Sequence, residues 1–253
     1  MRLSLIIPVY NEAHHLKAFF DNLLTIPLPC EVEYVIIDDA STDESWGIVE
    51  AFVKTVPPDK VVAYRQSNNQ GKGAALHRGI ALARGQFIVI QDADFEYDPR
   101  DLAHLVEPIL SGKADVVYGS RFHKTNPQVH RTFHYLVNRF LTLVSNVMSG
   151  LYLSDMETCY KVFRSEILKP LPLECKRFGF EPEVTALVAK LKIRVHEYPI
   201  SYFPRTYSEG KKINWKDGVA ALWFIFKYNL RGIGPPTVGQ IPTQYLPRAR
   251  QWL

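Results

Sequence analysis

The first 120 residues alternate short β-rich runs with helical patterns, and this rhythm limits the possible folds more than any single motif does. Strands are expected at Leu3–Pro8, Glu33–Ile37, Val61–Arg65, Phe87–Ile90 and Val116–Tyr118. Helical patterns fill the gaps over Ala13–Leu24, Glu44–Lys54, Ala74–Ala83 and Arg100–Leu110. A βαβα order predicts an α/β fold, with a mostly parallel sheet covered by helices on both faces. Ser41-Thr42-Asp43-Glu44 reads as a capping box that starts one helix. Gly85 reads as the end of another, just before its strand.

The second half is less regular. His134–Leu151 is apolar on nearly all sides, so it must be buried or rest on something apolar. Arg194–Pro199 reads as a late strand. Trp215–Leu230 reads as a helix, with Trp215, Val219, Leu222, Phe226 and Leu230 at helical spacing and Lys216 and Lys227 beside them. The last twenty residues, Gly234 to Leu253, are rich in Pro, Gly and Gln and read as a tail.

Asp92-Ala93-Asp94 follows the apolar run Gln86 to Ile90, at the end of an expected strand. Two carboxylates one residue apart are costly to desolvate without a partner. A hard divalent cation, Mg2+ or Mn2+, is the natural one, because it takes oxygen ligands and bridges them to phosphate oxygens. Ligands of open α/β sheets also bind beyond the carboxyl ends of the strands. The plainer alternative is a solvated turn, which Asp also favours.

Other strand ends carry similar groups. Pro8-Val9-Tyr10-Asn11-Glu12 closes the first strand. Asn11 can cap the next helix, or Tyr10 can face a flat base while free helix amides meet an anion. Asp38-Asp39-Ala40-Ser41-Thr42-Asp43 closes the second. Ser41 and Asp43 read as helix starters, and Asp39, which lies ahead of the cap, as a ligand contact. Asn69-Gln70-Gly71-Lys72-Gly73 is a glycine-bearing turn before a helix, from which Lys72 can reach a phosphate or stand as a solvated charge.

Missing motifs narrow the choice. No GxxxxGK[ST] loop is present, and no GxGxxG follows the first strand. HExxH, GxSxG and kinase signatures are absent as well. The net charge of +4 is too mild to suggest a nucleic-acid binder. It is concentrated between Ser201 and Arg231, where Arg205, Lys211, Lys212, Lys216, Lys227 and Arg231 outnumber Glu209 and Asp217. A phosphate ligand or an anionic membrane surface suits that segment. Three cysteines without CxxC spacing fit a reducing compartment. The N-terminal apolar run is too short for a signal peptide. No stretch reaches the roughly 18 apolar residues that a membrane span needs.

SLIIPVYNE, IIDDASTD, NQGKGAA, QDADFEYDP and YGSRF stand in the order seen in inverting glycosyltransferases of family 2 with the GT-A fold, which the chain resembles. DMETCYKVFR, RFGFEPEVT and EYPISYFPRTYSEGKKINWKDG look like the polyprenyl-phosphate sugar synthases of the dolichol-phosphate mannosyltransferase type. The resemblance covers residues 3 to 230. Three parts are expected: a catalytic domain over 1–213, an amphipathic interfacial helix over 214–231 and a tail over 232–253. It also implies site roles. Pro8, Tyr10, Glu12 and Asp39 would line the nucleoside pocket. Asp92, Ala93 and Asp94 would meet the diphosphate, with Asp92, Asp94 and Glu96 as the metal set. Arg121 would contact donor phosphate or sugar. Arg205 and Lys211 would hold phosphates of donor and acceptor. Glu96 stands where many relatives have Gln, and Ala40 where this branch commonly has Gly.

These roles make chemical sense. The leaving nucleoside diphosphate gains negative charge as the glycosidic bond breaks, and a divalent cation with Arg205 would stabilise it. A phosphate acceptor is already mostly ionised, with a second pKa of about 6, and needs no base. A hydroxyl acceptor needs one, and Asp155, Glu181 and Glu183 are the spare acids. Glu181 and Glu183 also fit the start of a helix that has Pro182 at an early position. Three readings follow. The first is transfer from a GDP- or UDP-sugar to a polyprenyl phosphate by an enzyme peripheral at the cytoplasmic membrane face. The second is transfer to a glycan hydroxyl. The third is a non-catalytic nucleotide-sugar binder that docks at a membrane.

Overall fold

The computed structural model describes residues 1–122, 132–191, 193–204, 215–232 and 240–245. Seven strands form one sheet: β1 Arg2–Val9, β2 Glu31–Asp38, β3 Val61–Arg65, β4 Phe87–Ile90, β5 Val116–Ser120, β6 Lys161–Arg164 and β7 Val195–Pro199. Their order is β3-β2-β1-β4-β6-β5-β7. All neighbours are parallel except β6, which runs antiparallel to both β4 and β5. The helices are α1 Ala13–Leu23, α2 Ser45–Val53, α3 Lys72–Leu82, α4 Leu102–Leu110, α5 Thr132–Ser149, α6 Ser165–Leu168, α7 Phe180–Leu191 and α8 Trp215–Leu230.

The central strands are buried because their sequences are apolar on both faces, as parallel strands covered by helices require. Leu3, Leu5, Ile6 and Ile7 of β1 are wholly buried, as are Val35, Ile36 and Ile37 of β2. Each such side chain contributes roughly 1.5–3 kcal/mol by leaving water. Helix α3 lies close on β1 and β2. A Cβ on Gly79 would come within 2.4 Å of the Ile6 side chain, so only glycine allows this approach. Phe20 of α1 stacks on Phe52 of α2 with ring centroids 4.1 Å apart.

Gly85 does not end α3. That helix stops at Leu82, and Gly85 instead lets the chain pass β1, where a Cβ would meet Arg2 O at 2.7 Å. Strand β6 was not expected from the sequence. Lys161 opens it, a wholly buried lysine whose ammonium donates to Met156 O and Thr158 O and lies over the Tyr118 ring.

Helix α8 packs against α5 and α7. Ala221, Ile225 and Tyr228 face inward. The opposite side exposes Val219, Trp223, Phe226 and Leu230, so Trp223 replaces Leu222 in the outward stripe that the sequence suggested. Helix α5 is not enclosed either: Leu136, Phe140, Leu143 and Val147 are exposed. Both outward sets follow the spacing i, i+4, i+7, i+11, which is one face of a helix. No helix among the described residues is long and apolar enough to cross a membrane. Within the C-terminal segment, Ile241 and Tyr245 pack on the core, and Tyr245 OH donates to Glu166.

Candidate active site

The chain builds β2 and β3 on one side of β1 and places β4 on the other. Ligands of doubly wound sheets bind at such a switch point, outside the carboxyl ends of the strands. Residues 9–12, 38–43 and 91–96 leave the sheet there.

The first two of these segments are tied together by polar contacts, not by helix caps. Asn11 N donates to Ser41 Oγ at 3.0 Å, Glu12 N to Ser45 Oγ at 2.9 Å and Ala13 N to Asp43 Oδ2 at 3.1 Å. The amides of Asn11, Glu12 and Ala13, which the sequence left free for an anion, therefore have protein partners. Asn11 does not cap α1. Its φ of 52° turns the side chain to the second loop, where Oδ1 accepts from Thr42 N. The expected capping box does not form, because α2 begins at Ser45 and Glu44 makes no side-chain cap. Asp43 Oδ1 accepts from Ser45 N instead. Ala40 adopts a φ of 59°, a left-handed conformation natural to glycine. Pro8, Tyr10 and Glu12 lie half-buried along this edge.

Asp39 is held by the protein. Its carboxylate accepts from Gln66 Nε2 at 2.5 Å, Gln70 N at 2.8 Å and Gly71 N at 2.7 Å. Asp39, expected as a ligand contact, fastens the glycine turn before α3. Asp38, also ahead of the cap, accepts from Ser41 N at 3.1 Å, so the cap region does use it. In the glycine turn, Gly71 N donates to Asp39 and Ala74 N to Lys176 O. Gly73 is required because a Cβ would meet Cys175 O at 2.0 Å.

Lys72 leaves this turn toward Asp92, not toward solvent. Its Nζ is 2.8 Å from Asp92 Oδ1 and 3.6 Å from Glu181 Oε1. Burial alone would lower the lysine pKa, but the Asp92 carboxylate beside it holds it well above the usual range. Ala93 is buried in the core.

Asp94 and Glu96 are joined by the bond from Glu96 N to Asp94 Oδ1, at 3.1 Å. Glu96 Oε2 accepts from Tyr202 OH at 3.3 Å. The Tyr202 ring carries the Arg121 guanidinium 5.2 Å from its centroid. Of the three expected metal ligands, Asp92 faces the Lys72 ammonium, while Asp94 and Glu96 lie half-buried just beyond it in the chain. Among the described residues no three His, Cys, Asp or Glu side chains converge as a metal site. Two half-buried carboxylates nevertheless suit Mg2+ or Mn2+, which commonly bind one or two carboxylates and complete their shell with substrate phosphate and water.

Arg121 and Asp155 form a buried bidentate pair. Arg121 Nε donates to Asp155 Oδ2 at 2.7 Å and Nη2 to Oδ1 at 2.8 Å, and Arg121 N adds a third bond at 3.0 Å. Asp155 is therefore not a spare acid. Neither is Glu183, which is wholly buried and accepts from Glu174 N at 2.7 Å and Cys175 N at 3.0 Å. Of the three spare acids only Glu181 reaches the Lys72–Asp92 pair. Arg205 and Lys211 lie outside the described residues.

Glu157 was missed in the sequence. Its Oε1 is buried and has no hydrogen-bond partner. Burial, and then the charge of Glu181, push its carboxyl above the ordinary range, against the pull of Lys161 and Arg121. Its signal was the spacing Asp155-Met156-Glu157, a second acid-x-acid pattern.

Residues 4–171 match the model of glycosyl transferase family 2, so the chain belongs to that family and is a glycosyltransferase. The sheet and helices are those of the GT-A fold. The undecaprenyl-phosphate mannosyltransferase of Micrococcus luteus is 30% identical over 219 residues, which span 83% of this chain and 87% of that protein. A dolichyl-phosphate β-glucosyltransferase of Dictyostelium discoideum is 27% identical over 229 residues, 84% of this chain and 68% of that one. Among solved structures, glucosyl-3-phosphoglycerate synthase of Mycobacterium tuberculosis, in complex with Mn2+, UDP and phosphoglyceric acid, superposes with a TM-score of 0.65. Identity is 18%, with 92% of this chain and 79% of that chain covered, a likeness of fold alone.

Proposed function

We propose that the enzyme is an inverting, metal-dependent glycosyltransferase that moves a sugar from a GDP- or UDP-linked donor to a polyprenyl phosphate. The observation that carries this reading is the linkage of Asp94, Glu96, Tyr202 and Arg121 at the switch point: two oxygen ligands and a guanidinium on one arc. The relatives named for dolichyl- and undecaprenyl-phosphate transfer support the acceptor.

Pro8, Tyr10, Glu12 and the loop fastened by Asp39 would receive the nucleoside. Asp94 and Glu96 would hold Mg2+ or Mn2+. When bound, the cation supplies positive charge to the leaving diphosphate. Arg121 is preorganised to oppose the same charge, because Asp155 fixes its plane. Arg205 and Lys211 would add cations from the basic segment. The acceptor attacks the face opposite the leaving group, which inverts the anomeric carbon. Asp155 and Glu183 are engaged within the protein, and Glu181 lies beside an ammonium. A phosphate acceptor suits this arrangement, since it arrives ionised.

The outward apolar faces of α5 and α8 support docking on a bilayer, where a polyprenyl tail would remain. Helix α8 then serves as the interfacial helix, and the enzyme works as a peripheral protein at the cytoplasmic face.

A hydroxyl acceptor is the second reading. It is favoured by Glu157, whose carboxyl is raised to about 7, a range suited to a general base.

Incubation with radiolabelled nucleotide sugars, polyprenyl phosphate and Mn2+ should yield a labelled lipid. Label found only in water-soluble saccharide overturns the acceptor assignment. Vesicle co-sedimentation should fall sharply in Leu143→Glu and Trp223→Glu. Unchanged sedimentation rejects these faces as the docking surface.

A further inference from the structure

We infer that Glu157 reads the donor sugar: its buried Oε1 accepts a hydrogen bond from a hydroxyl of the hexose, just beyond the diphosphate. The inference rests on the proposed nucleotide-sugar donor and names a recognition residue for it.

The backbone around Glu157 is held on both sides. Asp155 is clamped by Arg121. Met156 N donates to Thr142 Oγ1 at 3.1 Å, and Met156 O and Thr158 O both receive the Lys161 ammonium. Cys159 N donates to Tyr97 OH at 3.2 Å. A residue between such anchors presents its side chain with little freedom, as recognition requires.

One oxygen of that side chain, Oε1, is unsatisfied. A buried polar atom without a partner costs roughly 1–3 kcal/mol, more when charged. Among the described residues, the charged groups that act on Glu157 have other partners: Arg121 with Asp155, Lys161 with two carbonyls, Glu181 with Lys72. None of them bonds the Glu157 Oε1 atom.

Position selects the ligand group. Arg121 connects through Tyr202 to Glu96, and Glu181 connects through Lys72 to Asp92, so two of the four charged groups that act on Glu157 flank the expected diphosphate site. The next group along a nucleotide sugar is its hexose. A hexose offers hydroxyl donors to an acidic oxygen, whereas an ionised phosphate offers only acceptors and would be repelled.

The test compares Glu157→Ala and Glu157→Gln with the wild type, with UDP-glucose, UDP-N-acetylglucosamine and GDP-mannose as donors and UDP and GDP as sugar-free probes, all with Mn2+. For whichever donor the wild type turns over, Glu157→Ala should raise KM at least tenfold and leave the affinity for the free nucleoside diphosphate within twofold. Glu157→Gln, which keeps an acceptor oxygen, should recover part of the loss. Neither variant should lower Tm, because no native partner is removed. An unchanged donor KM overturns the inference, as does an equal loss for the free diphosphate. A fall in kcat of about 10²–10⁴ at constant KM also overturns it and makes Glu157 a general base. If the wild type binds the diphosphates but no sugar nucleotide, the proposed function fails and takes this inference with it.

Discussion

Lys72 Nζ lies 2.8 Å from Asp92 Oδ1 and thereby joins the first turn of α3 to the end of β4. Each side chain is about one-fifth exposed, 21% and 20%, so the pair is neither a surface bridge nor a fully buried one. Lys72→Ala should cost about 1–2 kcal/mol in urea unfolding, between the values for exposed and buried pairs. Adding Asp92→Asn should recover much of that loss. Strictly additive effects would mean that the two groups do not interact.

Within the expected metal set, Asp94 and Glu96 should respond differently to substitution. Asp94→Ala should lower transfer by at least a hundredfold at saturating Mn2+. Glu96→Gln keeps an oxygen donor and should remain within tenfold, with a higher Mn2+ requirement. Turnover that survives Asp94→Ala would show that transfer does not depend on a cation held there. Nucleotide binding by the wild type with no turnover on any acceptor would leave only a binding module.

Glu183 and Glu181 sit two residues apart at the start of α7 but face different duties. Glu183→Ala orphans the amides of Glu174 and Cys175 and should destabilise by about 1–3 kcal/mol. The donor KM of the folded fraction should stay near wild type. A selective kinetic defect with unchanged stability would contradict this assignment.

Ala40 stands at a φ of 59°, where a Cβ is strained by about 1 kcal/mol. Ala40→Gly should therefore stabilise the protein modestly, by about 0.5 kcal/mol after the added freedom of the unfolded chain is counted. Chemical denaturation that shows a loss would mean that the loop has another source of support.

Acid should weaken the fold through Asp115. Burial alone would raise its carboxyl, but the bonds from Arg194 hold it below the ordinary range. A carboxyl depressed in the folded state stabilises above its unfolded pKa of about 3.9, and that contribution fades as pH falls below it. Tm should drop below about pH 4, and less steeply in Asp115→Asn. Parallel curves for the two proteins would exclude Asp115 as a source.

The fold was readable because each buried strand is a compact apolar run. Val61–Arg65 and Phe87–Ile90 have the bounds that the sequence suggested. β6 was not readable, since its opening residue is a lysine whose burial depends on two carbonyls from the preceding turn. At the site, the residues at strand ends were legible one by one. Their partners were not. Asp39 bonds 32 residues ahead to Gly71, and Arg121 pairs 34 residues ahead with Asp155. Local sequence carries no trace of such pairings, so acids that looked spare proved to be committed.

The reversed direction of β6 has a structural effect that reaches the chemistry. A forward strand delivers to the ligand end of a sheet the residues that come after it. A strand running backward delivers the residues that come before it. Asp155 and Glu157 precede β6, and β6 lies between β4 and β5, so one inverted strand brings a second layer of acids to the rim where Asp94 and Arg121 emerge. Turned the other way, the same strand would leave those acids on the far side of the sheet.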